Sequence, residues 1–181
     1  KLQYKTPTTE DIFSGVLDAL DFILQSVAPE QIQQLNISTT IITNALVRSQ
    51  LDAVQLLVMP GPGLNVANSF PVKPFALKGY VNHLGEICQE LEPQQLLALP
   101  PATNIAISGK FSVRNPRHEH KLQELLLKTN PHGNFTLASQ LSGKLNFIRR
   151  TNTCYYALAT RKLLLNFEQV LLKALSARKL T

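Results

Sequence analysis

The stretch VQLLVM at residues 54–59 is apolar at every position but Gln55, and it stops at Pro60-Gly61-Pro62-Gly63. It has strand length, and near-continuous apolarity demands cover on both faces, the condition of a strand inside a parallel sheet. Proline and glycine then forbid its continuation. A second β-like run begins at Asn104, covers residues 104–108 and continues to Val113; a third spans residues 135–138. Helical patterns separate these runs, and strands alternating with helices specify an α/β layer fold.

The flanking segments fill in that outline. Residues 2–6 read as the end of a strand, and Thr8 with Asp11 as a capping-box-like start. Ile12, Phe13, Val16, Leu17, Leu20, Ile23 and Leu24 then fall on one helical stripe. Ala28-Pro29 ends that helix, Ile32, Leu35 and Ile37 read as a short strand, and Ser38-Thr39-Thr40 opens a helix with Ile41, Ile42, Ala45 and Leu46 inward. Residues 60–92 are rich in proline and glycine and predict an irregular excursion with short strands at 76–81 and 86–91. Residues 93–99 predict a short helix. Asn115-Pro116 is a helix start, followed by an inner stripe of Leu122, Leu125 and Leu126 and stopped at Asn130-Pro131-His132-Gly133. Residues 151–179 predict a long helix with Leu163, Leu164, Phe167, Val170, Leu171, Ala174 and Leu175 on its apolar side. The expected organisation is one α/β domain over residues 1–150 and a helical arm over 151–181.

Composition narrows the function classes. The chain is 44% hydrophobic and 17% charged, which is globular usage. Its two cysteines, Cys88 and Cys154, lack CxxC spacing and predict neither a disulfide framework nor a thiolate metal site. No apolar run reaches the roughly 18 residues of a membrane span, and a cytoplasmic location is expected. Charge is divided unevenly: residues 1–109 hold five Lys/Arg against nine Asp/Glu, and residues 110–181 hold thirteen against three. A basic half suits RNA, an acidic ligand or an acidic partner surface. Aromatic residues do not interleave with the basic ones as a nucleic-acid platform would need, which argues against RNA.

Familiar catalytic signatures are missing: no GxxxxGK, GxSxG, HExxH or GxGxxG occurs. Three local constellations remain. Ser38-Thr39-Thr40 puts hydroxyls where the chain enters a helix, and helix-start N–H groups attract phosphate or an oxyanion; plain capping is the competing role. Asn115-Pro116-Arg117-His118-Glu119 follows a buried-looking strand, so it stands at a carboxyl end, where α/β sheets place ligands. There His118 is a candidate acid or base and Glu119 its orienting group, against an ordinary helix first turn. Arg149-Arg150 is a candidate clamp for carboxylate or phosphate, against a solvated basic turn.

The order of these stretches carries a resemblance. Residues 5–9, then Ser38-Thr39-Thr40-Ile41-Ile42-Thr43-Asn44-Ala45, then residues 54–59, resemble the N-terminal region of the hydantoinase/oxoprolinase family. That family shows His-Gly-Thr-Thr followed by Thr-Asn-Ala; here Thr39, Thr40, Thr43, Asn44 and Ala45 match, with Ile37 and Ser38 in place of His and Gly. Residues 79–86, residues 111–119 with their Asn-Pro-x-His-Glu segment, residues 139–143 and Arg149-Arg150-Thr151 extend the likeness over nearly the whole chain. The resemblance implies a ribonuclease-H-like mixed sheet with flanking helices and a long C-terminal helix, in the actin/sugar-kinase/Hsp70 superfamily. It also implies an ATP- and Mg²⁺-dependent hydrolase opening cyclic amides of the hydantoin or 5-oxoproline type, or a related carboxylase subunit. Full members begin with an Asp-x-Gly-Gly-Thr phosphate loop that this sequence lacks, so the chain is expected to be a fragment with an incomplete active site. The rest of the parent chain or a partner subunit would complete it, and pairing with another copy is a further expectation.

By that resemblance Ser38, Thr39, Thr40, Thr43, Asn44, Arg149 and Arg150 are expected to bind substrate or phosphate. His118 and Glu119 are expected to do acid/base work or orient the substrate, and no metal ligand is assigned. The competing reading is a non-catalytic binding module whose basic C-terminal half holds an acidic partner or RNA.

Overall fold

The structure, a computed structural model, describes Lys5 and residues 12–180, with side chains from Ser14 onward. The chain divides into two compact units. One runs from Asp52 to Thr160; the other joins the described residues up to Leu51 with those from Arg161.

The larger unit is built on a parallel sheet. Strands β1 (Gln55–Met59), β2 (Phe75–Ala76), β5 (Asn104–Gly109) and β6 (Asn134–Leu137) lie in the order β2-β1-β5-β6, with Leu57 beside Ile107 and Ile107 beside Leu137. An antiparallel pair, β3 (Tyr80–Val81) and β4 (Ile87–Gln89), stands apart from it. Helix α3 (Arg117–Thr129), the short α4 (Ala138–Leu141) and α5 (Phe147–Ala159) complete the unit.

Alternation along β5 explains how both faces are covered. Ile105 and Ile107 share a core with Leu57 and Met59 of β1, Leu137 of β6, and Leu122 and Leu126 of α3. Ala106 and Ser108 point the other way, toward α5, where Ser108 Oγ lies 2.6 Å from Thr151 Oγ1. Small residues on that side let α5 approach closely, and Cys154 Sγ reaches Thr136 O at 3.2 Å. At the opposite end, Asp52 N donates to Ala159 O at 3.0 Å, so the two ends of the unit meet.

The smaller unit holds α1 (Ile12–Leu24), a 3₁₀ turn at Pro29–Gln31, α2 (Ile41–Val47) and α6 (Arg161–Ala177). Leu20, Ile41, Ala45, Phe167 and Ala174 are its buried apolar residues. Arg178 donates to both carboxylate oxygens of Asp21, at 2.6 and 2.8 Å.

Several elements differ from the sequence expectation. The short strand read at Ile32, Leu35 and Ile37 is not formed: residues 32–40 are neither helix nor strand, and among the described residues no strand pairs with them. The run at 76–81 is divided, because Gly79 at φ 142° turns the chain between β2 and β3. The strand from Asn104 ends at Gly109 instead of Val113, where residues 110–114 turn. Pro116, not Asn115, is the N-cap of α3, and Asn115 Oδ1 accepts from Arg117 N at 3.1 Å. The long final helix starts earlier, at Phe147, and breaks at Thr160, whose hydroxyl donates to Tyr156 O at 2.8 Å. The expected domain boundary at 150/151 therefore falls inside α5. The strand end at 2–6 and the cap at Thr8 and Asp11 lie outside the described residues, Lys5 excepted.

Leu122 is fully buried between β1, β5 and β6 side chains. Leu122→Ala is expected to cost about 2–5 kcal/mol of unfolding free energy, measured as a lowered urea midpoint with an unchanged slope.

Candidate functional site

Ligands of α/β proteins gather outside the carboxyl ends of parallel strands. Here that edge lies where β1, β5 and β6 finish, at Met59, Gly109 and Leu137. Strand ends leave amide groups without ladder partners, and buried ones must be satisfied otherwise. Lys110 N donates to Met59 O at 3.0 Å, tying the exit of β5 to that of β1. Gly109 N donates to Glu119 Oε1 at 2.8 Å, while Ser139 N and Oγ donate to Glu119 Oε2 at 3.0 and 2.5 Å. One carboxylate in the first turn of α3 thus joins the end of β5 to the start of α4.

Arg150 closes the same edge from α5. Its Nη2 donates to Gly109 O at 2.6 Å and Lys110 O at 2.9 Å, and its Nη1 to Lys144 O at 2.6 Å. Ser112 Oγ also donates to Gly109 O, at 3.0 Å. Glu119 and Arg150 are both almost wholly buried, so opposite charges bracket one residue, Gly109. Burial pulls the Arg150 pKa below its usual value and Glu119 works against that pull; a guanidinium remains charged regardless. Burial, helped by the nearby Glu119 charge, pushes the Cys154 thiol up to about 12, which keeps it neutral and unreactive.

His118 faces elsewhere. It is 3% exposed, and its Nε2 lies 3.7 Å from Glu90 Oε2. That is too long for a hydrogen bond, and Nε2 is buried without a hydrogen-bond partner. Glu90 also receives Lys121 Nζ at 3.4 Å and Arg117 Nη2 at 3.9 Å. Burial lowers the His118 pKa; Glu90 raises it, and Lys121 and Arg117 lower it further.

A built turn completes the corner. Asn82 Oδ1 accepts from Leu84 N and Glu86 N, both at 3.0 Å, and Asn115 Nδ2 donates to Gly85 O at 2.9 Å. This turn sets the His83 ring 6.5 Å from that of Phe111, and Lys110 Nζ stands 5.5 Å from the same Phe111 ring. At the amino end of β1 and β5 there is an open groove of about 1000 Å³ lined by Gln55, Pro100, Pro101, Asn104 and Asn130 among others. It contains none of the candidate residues, and the carboxyl edge remains the chemically richer side.

The residues singled out from sequence are distributed as follows. His118 and Glu119 are neighbours on α3 but serve different partners. Glu119 does not orient His118, because both its oxygens are taken by Gly109 and Ser139; Glu90 is the carboxylate beside the imidazole. Arg150 spends its terminal nitrogens on main-chain carbonyls, so it braces the edge and is not a free anion clamp. Arg149 is exposed in the first turn of α5, where Asn146 Oδ1 accepts from Arg149 N at 3.0 Å.

Ser38, Thr39, Thr40, Thr43 and Asn44 belong to the other unit. There Ser38, Thr39, Thr40 and Thr43 are exposed, Thr39 Oγ1 accepts from Ile41 N at 3.3 Å, and Asn44 Nδ2 donates to Thr40 Oγ1 at 3.4 Å. Thr40 is the N-cap of the seven-residue α2, without a side-chain cap bond. Among the described residues no group of three or more His, Cys, Asp or Glu gathers as a metal set, and no helix is long and apolar enough to cross a membrane. Sequence reasoning gave no role to Ser139, Ser108, Thr151 or Glu90. Only Ser139 had a local signal, a hydroxyl where a strand hands over to a helix.

Two outcomes follow from the buried charges. Glu119→Gln turns an amide toward donors that need acceptors, and should cost about 2 kcal/mol or more in urea unfolding. A chromogenic thiol reagent should label Cys88, which is exposed, at once and Cys154 only after denaturant is added.

Two solved structures share this fold. The ATP-dependent caprolactamase from Pseudomonas jessenii is 18% identical with a TM-score of 0.66, over 96% of this chain and 30% of that one. Acetone carboxylase, in a nucleotide-free structure from work on ATP-dependent acetone carboxylation, is 16% identical with a TM-score of 0.68, over 97% of this chain and 31% of that one. At these identities the likeness concerns the fold, and the chain spans about three-tenths of the length of each. A search of curated proteins returned no match. The family model described as the hydantoinase/oxoprolinase N-terminal region matches residues 2–129, more than half of the chain. The chain therefore belongs to the hydantoinase/oxoprolinase family.

Proposed function

We propose that this chain contributes the substrate side of an ATP-dependent enzyme that opens cyclic amides of the hydantoin or 5-oxoproline type. The observation that carries the reading is the family match over residues 2–129. Both solved neighbours are described as ATP-dependent, and one of them, the caprolactamase, is named for a cyclic amide. In such chemistry ATP supplies a phosphoryl group that makes the amide carbonyl labile, and Mg²⁺ neutralises the phosphate charge. This chain's contribution lies in donors and cations.

In the smaller unit, Ser38, Thr39, Thr40, Thr43 and Asn44 offer hydroxyl and amide groups to phosphate or substrate. In the larger unit, Arg149 offers a free guanidinium to an anion. Glu119 supports the carboxyl edge from within, and His118 lies against Gly79 and Glu90; neither is open to solvent. The rest of the parent chain or a partner subunit would hold most of the nucleotide, and the cytoplasm is the proposed location. Carboxylation of a ketone is the related reaction, favoured by the acetone carboxylase likeness.

Full-length parent protein, incubated with ATP and a panel of hydantoins, lactams and ketones, should release ADP faster with one substrate class than without. Thr40→Ala should lower that stimulated rate by about 100-fold if the hydroxyl meets the phosphoryl group or the oxyanion. No stimulation by any member of the panel, together with tight RNA binding that weakens steeply with salt, would instead establish the binding-module reading.

A further inference from the structure

Residues 77–91 leave the sheet after β2, form the β3–β4 pair and return to the 3₁₀ helix at Pro93–Ala98. Their polar attachment to α3 converges on Glu90. Arg117 and Lys121, the two solvent-facing partners, sit 3.9 and 3.4 Å from its carboxylate. The third partner, His118, is different: it is 3% exposed, and its Nε2, 3.7 Å from Glu90, has no hydrogen-bond partner. On the ring's other side lies Gly79, where an added Cβ would come within 3.6 Å of His118 Nδ1 and 3.5 Å of Leu91. Both ends of the excursion, Gly79 at the start and Glu90-Leu91 at the finish, therefore cover one imidazole.

A slot of this kind accepts the neutral ring. Protonation would put a cation among Arg117 and Lys121, with Glu90 as the single opposing charge and no hydrogen bond to it. Opening the excursion restores water to both nitrogens. We propose that residues 78–90, between the core anchors Leu77 and Leu91, are an acid-released flap, held shut at neutral pH by the uncharged His118 and freed when that ring takes a proton. The sign follows from proton counting. Burial keeps the closed state's His118 below the ordinary value. The closed state therefore binds fewer protons than the open one, and its advantage shrinks as pH falls from about 6.5 toward the closed-state value. Glu90 limits this effect, since it is the group that raises the closed-state value.

The flap reaches the candidate site. Its turn holds His83 against Phe111, and its Gly85 O accepts from Asn115 Nδ2 at 2.9 Å. Release loosens the corner that follows β5, whatever reaction the parent performs, so this inference stands apart from the proposed chemistry.

The test uses this protein and two readouts. The first is an NMR titration of the four histidines, with the exposed His83, His120 and His132 as internal references. The second is amide hydrogen exchange, corrected for intrinsic rates, at about pH 7.5 and about pH 5.5. His118 should titrate lowest. Protection at Asn82 N and Gly85 N, which bond within the turn, should fall severalfold across that interval, short of the roughly tenfold ceiling that a single proton allows, while β5 amides stay unchanged. Glu90→Gln should enlarge the fall, and His118→Gln should abolish it. His118 titrating with or above the exposed histidines, protection of the turn equal at both pH values, or Glu90→Gln leaving the fall unaltered would each overturn the proposal. Because Glu90 is on the surface, that variant decides the matter even if His118→Gln does not fold.

Discussion

Gly109 is held from two sides by opposite charges, and the arrangement of the larger unit depends on it. The residue ends the central strand β5, so its N–H and C=O have lost the ladder. Glu119 from α3 takes the first, at 2.8 Å, and Arg150 from α5 supplies the second, at 2.6 Å. The two helices lie on opposite faces of the sheet, and each contributes one buried charge to the same point. Neither charge could be buried alone without a large cost. Each is tolerable because it is hydrogen-bonded: Glu119 to three donors, and Arg150 through its terminal nitrogens to three carbonyls, its Nε alone being left without a partner. The apolar packing of Leu57, Ile107 and Leu122 makes the sheet and α3 cohere, but it does not fix where the strands end. The bracket at Gly109 does, tying the exit of β5 to α3 and α5.

That division of labour explains what could be read from sequence. The elements β1, β5 and α3 were legible because their signals are local. An apolar run bounded by glycine and proline, or leucines at helical spacing, names its element without reference to the rest of the chain. The missing strand at 32–37 failed for the converse reason. The apolar residues Ile32, Leu35 and Ile37 suit a strand, but a strand exists only beside another, and among the described residues none pairs there. The division at Gly79 and the break at Thr160 depend on a positive φ and on a hydroxyl turned back to its own helix, and neither disturbs the pattern of apolar residues.

At the site, sequence placed the Asn115–Glu119 stretch at the carboxyl end of a central strand, which is where it lies. It could not give the roles. Glu119 bonds to Ser139, 20 positions away, and Arg150 to Gly109, 41 positions away. Adjacency on the chain suggested that Glu119 serves His118. On a helix, consecutive residues point about 100° apart, and the two side chains leave α3 toward different neighbours. The carboxylate that His118 does face, Glu90, comes from a segment whose course was set by Gly79 and by the bonds of Asn82. A resemblance in the order of motifs survived where individual roles did not, because order reflects topology and roles reflect contacts across it.

The hydrogen bond from Asp52 N to Ala159 O carries a consequence for how such a chain can change. It brings the entrance and the exit of the larger unit to the same place. A module with adjoining ends can be removed, transplanted or rewired in its loop order without stretching the backbone on either side. The smaller unit, assembled from segments before and after it, is then the host, and the parallel sheet with its carboxyl edge is a guest that interrupts it.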